Sequence, residues 1–98
     1  MYPLQNFIEQ SLSLTYLSLV DCDLNTESFF NIAAGVRNSR NLRFLDLTRN
    51  RVANEKIAEY VSSILQSLGL MGLRMRHCDI KDKYGAIIFQ GLRKSKYL

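Results

Sequence analysis

The chain has 98 residues, 47% of them hydrophobic and 22% charged, a balance that excludes a disordered tail and fits one folded domain. Its net charge of +4 and isoelectric point of about 9.3 are mildly basic, which permits an acidic partner without requiring nucleic acid. The opening MYPLQNFIEQ has neither a basic segment leading into an apolar run nor a small-residue cleavage site. No apolar stretch is long enough to span a bilayer, and two cysteines without an N-x-[ST] acceptor give no sign of secretion. The expected compartment is the cytoplasm, or the nucleus.

In chain order, residues 1–13 read as a helix: Leu4, Gln5 and Ile8 fall on one face, and Pro3 suits a first turn that needs no donor from its nitrogen. LTYLSLVDCDL, from Leu14, then alternates apolar and polar residues as a strand does. Phe29, Ile32, Ala33 and Val36 follow with i, i+3, i+4, i+7 spacing, the mark of one buried helical face. The same pair of rhythms returns in LRFLDLTRNRV from Leu42, with Ile57, Tyr60, Val61 and Ile64 behind it. It returns again in LMGLRMRHCDI from Leu70, with Ile88, Phe89 and Leu92 behind it. Thr26, Asn54 and Asp82 precede the three helices as candidate caps, and Glu27 and Glu55 suit the positive helix end.

The period is 28 residues. It aligns Leu17, Leu45 and Leu73, then Leu19, Leu47 and Met75, then Leu24, Val52 and Ile80, with Cys22, Asn50 and Cys78 as a small polar column. The expected division is a partial helix at 1–13, repeats at 14–41, 42–69 and 70–97, and Leu98 as the first residue of a further strand.

The LxxLxLxx[NC]xL segment followed by a capped helix resembles the leucine-rich repeat of the ribonuclease-inhibitor subclass, which also occurs in NOD-like receptors, Ran GTPase activators and tropomodulins. The resemblance implies an α/β solenoid, a short horseshoe arc with parallel strands on the concave face and helices on the convex face. Stacking supports this independently, since one strand and helix cannot bury an apolar face alone and about three units are the minimum. Asn50 can satisfy backbone donors and acceptors at the turn through both ends of its amide. By the resemblance, Cys22 and Cys78 fill the same structural ladder.

A disulfide between those cysteines is excluded on expected geometry. Two strand spacings of about 4.8 Å put them about 10 Å apart, beyond the roughly 7 Å limit. One histidine, His77, and two separated thiols lack metal-ligand spacing. No nucleophile elbow, phosphate loop or zinc-protease motif is present, so the expectation is no enzyme, no cofactor, no small-molecule substrate and no membrane partner.

Residues that alternate with the buried leucines should face the other side of the sheet. They include Tyr16, Phe44 and Gly72, then Ser18, Asp46 and Arg74, then Val20, Thr48 and Arg76, and at the turns Arg49, Arg51 and His77. Arg49, Arg51, Arg74 and Arg76 thus form a basic patch beside the pair Tyr16 and Phe44, and arginine and aromatics are enriched in binding hot spots. The candidate partner-binding set is Tyr16, Phe44, Asp46, Arg49, Arg51, Arg74, Arg76 and His77. Simple solvation of these arginines, with pairing to Asp46 and Asp79, is the competing account. At the tail, Arg93, Lys94 and Lys96 oppose the negative end of the last helix, which explains them without a targeting role.

The expected function is a non-catalytic protein–protein interaction module. A regulatory or sensing segment of an innate sensor, GTPase regulator or cytoskeletal assembly is the alternative. Nucleic-acid contact through the basic patch ranks behind both, because no RNA-binding or helix-turn-helix signature accompanies it. Three short strands offer an inner face of about 350 Å², well under the roughly 800 Å² per partner of a stable interface. Adjacent loops must therefore contribute, or the units belong to a longer array or associate end to end.

Overall fold

A computed structural model of the chain describes residues 3–11, 13–67 and 69–94. The expectations placed on Lys96 and Leu98 lie outside these residues. Helix α1 (Pro3–Gln10) is followed by three strand–helix units: β1 (Tyr16–Ser18) and α2 (Thr26–Asn38), β2 (Phe44–Asp46) and α3 (Glu55–Leu65), β3 (Gly72–Arg74) and α4 (Asp82–Lys94). The strands form one parallel sheet in the order β1-β2-β3, with Leu17 opposite Leu45 and Leu45 opposite Leu73. The columns written in the sequence are thus columns in space, and the architecture is an α/β repeat fold.

Burial follows the stacking. In the middle unit Leu42, Leu45, Leu47 and Val52 are buried together with Ile57, Val61 and Ile64. Leu17, Leu19, Leu73 and Met75 of the outer units are half-buried, because each has a neighbouring strand on one side. Ile8 of α1 is fully buried and packs onto α2, where Gly35 admits it: a Cβ at residue 35 would stand 2.9 Å from the Ile8 Cβ.

Three expectations are corrected. The strands have three residues each, shorter than the alternating stretches read from the sequence, because the chain turns after them: Asp21, Arg49 and His77 share the left-handed conformation (φ 54°, 62° and 56°), which ends the alternation of faces. The backbone ladder nevertheless continues through the turns, from Asp21 N to Thr48 O and from Arg49 N to Arg76 O, each at 2.9 Å.

The cap of α2 is Asn25, whose Oδ1 accepts from Ser28 N at 2.8 Å; Thr26 lies one residue inside, and Asp82 likewise lies in the first turn of α4. Asn54 does cap α3, accepting from Ile57 N at 2.9 Å, and its Nδ2 donates to the Thr26 hydroxyl at 3.0 Å. Thr26 therefore links two repeats instead of capping one.

The apolar column of α4 is only partly buried, with Ile88 half-buried against the core. Phe89 and Leu92 are 59% and 42% exposed, whereas Val61 and Ile64, one period earlier, are fully covered. The cause is position: α3 is covered by α4, and none of the described elements covers the far side of α4.

Candidate functional site

The sheet face turned away from the helices is built from the short residues and rings that alternate with the core leucines. Tyr16 and Phe44 stand side by side on paired positions of β1 and β2, 55% and 46% exposed. The third member of that row is Gly72, and the Phe44 ring leans over it: a Cβ at residue 72 would lie 2.9 Å from the Phe44 Cδ1. A cavity of about 180 Å³ lies beside the rings, lined also by Gly72, Asp46 and Arg74.

The next row is Ser18, Asp46 and Arg74. Asp46 was expected to offer its carboxylate to a partner, but it is only 7% exposed and is engaged within the fold, Oδ1 accepting from Thr48 N at 3.0 Å. The Thr48 hydroxyl, above all, holds its carboxyl below the ordinary value; the Thr48 amide and the charges of Arg74 and Arg76 act the same way, against the opposing cost of burial. Thr48 Oγ1 also accepts from Arg76 N at 3.2 Å, so Asp46, Thr48 and Arg76 fix one another across β2 and β3.

Arg74 and Arg76 are exposed, as are Arg49 and His77 at the turns. Arg51 behaves differently: its Nε is 3.3 Å from Asp79 Oδ2, the one ion pair among the described residues. Both groups are well exposed, so the pair adds little stability, but it neutralises Arg51 locally. The basic character of the face accordingly rests on Arg74, Arg76 and Arg49.

At the turn, Asn50 is fully buried. Its Oδ1 accepts from Cys22 N at 3.1 Å and Leu24 N at 3.2 Å, and its Nδ2 donates to Leu19 O at 2.7 Å and Leu47 O at 3.1 Å. Cys78 repeats part of this, its thiol lying 3.4 Å from Leu47 O. Cys22 is exposed and reaches only Val20 O, within its own repeat, at 3.5 Å. Both cysteines are free thiols, and no group of three or more His, Cys, Asp or Glu able to hold a metal occurs among the described residues. None of the described helices is long and apolar enough to cross a membrane.

Sequence reasoning found the aromatic pair and the arginines. It missed the cavity over Gly72 and the burial of Asp46. A glycine beneath a phenylalanine in aligned repeats was the available signal for the first. An aspartate two residues before a threonine, a local hydrogen-bonding pair, was the signal for the second.

A family model of the leucine-rich repeat matches residues 38–55, the segment from the end of α2 through β2 and the Asn50 turn to the start of α3. That segment is similar to a leucine-rich repeat. Searches of curated proteins and of solved structures return no match.

Proposed function

We propose that the chain is a non-catalytic protein-interaction module, a short solenoid of the ribonuclease-inhibitor subclass. In this reading the repeats run over 14–41, 42–69 and 70–97 after a partial helix at 1–13, and a partner protein docks on the concave sheet face and the adjoining turns. The observation that carries it is the paired exposure of Tyr16 and Phe44 next to Arg74 and Arg76, on the face opposite the leucines that pack against the helices. Exposed aromatic rings, and guanidinium groups that form no close ion pair among the described residues, have high potential binding energy and little structural use there. Cytoplasmic or nuclear location fits the free thiols.

The module serves best as a segment of a longer repeat protein, such as a sensing or regulatory assembly. Support comes from α4, where Phe89 and Leu92 lie open at positions that the next repeat covers everywhere else in the stack.

The test is comparative capture. Arg49→Glu combined with Arg74→Glu should lose the partner held by the unaltered chain while the thermal transition stays in place, and equal retention by both would overturn the sheet-face reading. Binding of single-stranded oligonucleotides that weakens steeply with salt would favour phosphate contact instead.

A further inference from the structure

The sheet face has a shape and a charge pattern that together define what would fit it, and this step rests on the protein-binding reading above. The cavity beside Phe44 has about 180 Å³, and a space of roughly 150 Å³ accommodates a benzene ring. It therefore admits one aromatic side chain. Two walls are aromatic, Tyr16 and Phe44, which suits offset or edge-on ring packing.

The polar lining adds a second requirement. Asp46 contributes a carboxylate, whose Oδ1 is already taken by Thr48 N. An ionised carboxylate with remaining lone pairs accepts a hydrogen bond and repels an anion. Its bonds from Thr48 already satisfy it in part, so a hydrocarbon ring is tolerated, whereas a phosphate or carboxylate is disfavoured beside it. An uncharged aromatic ring, with or without an N–H or O–H, satisfies both conditions.

Outside the cavity the sign reverses. Arg74 stands at its rim and Arg76 and Arg49 beyond it, all exposed and none in an ion pair among the described residues. On the β1 side the nearest turn carries Asp21 and Asp23. The charge gradient across the sheet therefore favours a ligand with carboxylates on the β3 side of its anchor and none on the β1 side. Guanidinium groups bind carboxylates by parallel donors, which adds direction to the attraction.

We infer that the sheet face binds a partner segment in which one aromatic side chain enters the cavity lined by Tyr16 and Phe44, with acidic residues on one flank meeting Arg74 and Arg76. A nucleic-acid strand fits less well, since its evenly spaced phosphates would have to pass Asp21, Asp23 and Asp46.

Selection from a random peptide library against the unaltered chain tests this, with counter-selection against Phe44→Ala and against Arg74→Gln combined with Arg76→Gln. Both variants are checked for an unchanged thermal transition. The expected consensus has an aromatic residue with Asp or Glu on one side, and a synthetic peptide of that consensus should lose about tenfold in affinity against either variant and severalfold on doubling the salt from low ionic strength. Replacing its ring by leucine should cost about as much. Peptides that need Phe44 but are neutral, basic or leucine-anchored would overturn the inference and leave the protein-binding reading standing. Recovery of no face-dependent peptide would sink both. If either variant misfolds, the leucine-for-ring exchange and the salt dependence on the unaltered chain still decide, as does tighter binding of a single-stranded oligonucleotide than of any selected peptide, which would refute the inference.

Discussion

The Asn50 side chain lies 2.7 Å from the Leu19 carbonyl, so a single amide joins the middle repeat to the one before it. Its other end holds two amides of the same preceding turn, Cys22 N and Leu24 N. Replacing Asn50 by leucine keeps the branched shape and leaves these groups without partners. Unsatisfied buried groups cost roughly 1–3 kcal/mol each, so Asn50→Leu should destabilise the fold by about 3 kcal/mol or more, a large share of what a small domain has. Urea denaturation measures it, and a loss under about 1 kcal/mol would mean that water replaces the amide.

The two cysteines occupy the same place in the period but not the same environment. The Cys78 thiol is buried against the Leu47 carbonyl, while Cys22 is exposed and its thiol bonds only inside its own turn. A polar disulfide reagent should label one thiol rapidly in the native protein and both after unfolding, with Cys22→Ser removing the fast phase. Two fast thiols would show that the third repeat opens easily; none in the unfolded, unreduced protein would mean a disulfide.

Glycines in α4 give opposed expectations. A Cβ on Gly91 would run into the Ser62 backbone, its Cα 2.8 Å away, so Gly91→Ala should push α4 off α3 and cost roughly 1–3 kcal/mol. A Cβ on Gly85 would meet only the Ile80 Cγ2 at 3.8 Å. Gly85→Ala should then stabilise the helix by about 0.5–1 kcal/mol. Thermal denaturation of the pair reads both signs, and Gly91→Ala melting with the parent would contradict the close packing.

The repeat, its period and the column of leucines were legible in the chain because burial and backbone pairing both act at 28-residue spacing. Positions that depend on local competition were not. Thr26 and Asn25 can each cap a helix, and only the three-dimensional placement of Asn54 decides that Thr26 is used across the repeats. Phe89 follows the apolar rhythm, but rhythm records what could be covered and not whether anything covers it. Asp46 reads as surface from alternation alone. The cross-strand bond from Arg76 N to the Thr48 hydroxyl, with Thr48 in turn on Asp46, is what draws it in.

Asp46 also makes stability depend on pH. Its carboxyl titrates below the ordinary value, chiefly through the Thr48 hydroxyl. A group whose folded value is depressed contributes stability that is complete above its unfolded value and disappears as pH falls through the folded one. Asp46→Asn keeps an acceptor for Thr48 N but removes the charge. The variant should be less stable near neutrality and should lose less on acidification below pH ~4, so the two melting curves converge in acid. Parallel curves down to pH ~2 would assign the acid sensitivity elsewhere.

Arg49 offers a separation of stability from binding. It shares the left-handed turn column with Asp21 and His77, residue types that adopt that conformation more readily than arginine does. A long basic side chain in this place is a local cost, and such costs persist where the side chain has another use. Arg49→Gly relieves the backbone and should raise stability by about 1 kcal/mol, more than Asp21→Gly or His77→Gly. The same change removes a guanidinium from the rim of the basic face and should weaken an acidic, aromatic-anchored peptide severalfold. Urea denaturation and peptide titration on the one variant give both numbers. A gain in stability with binding unchanged would remove Arg49 from the face and leave Arg74 and Arg76 to carry it.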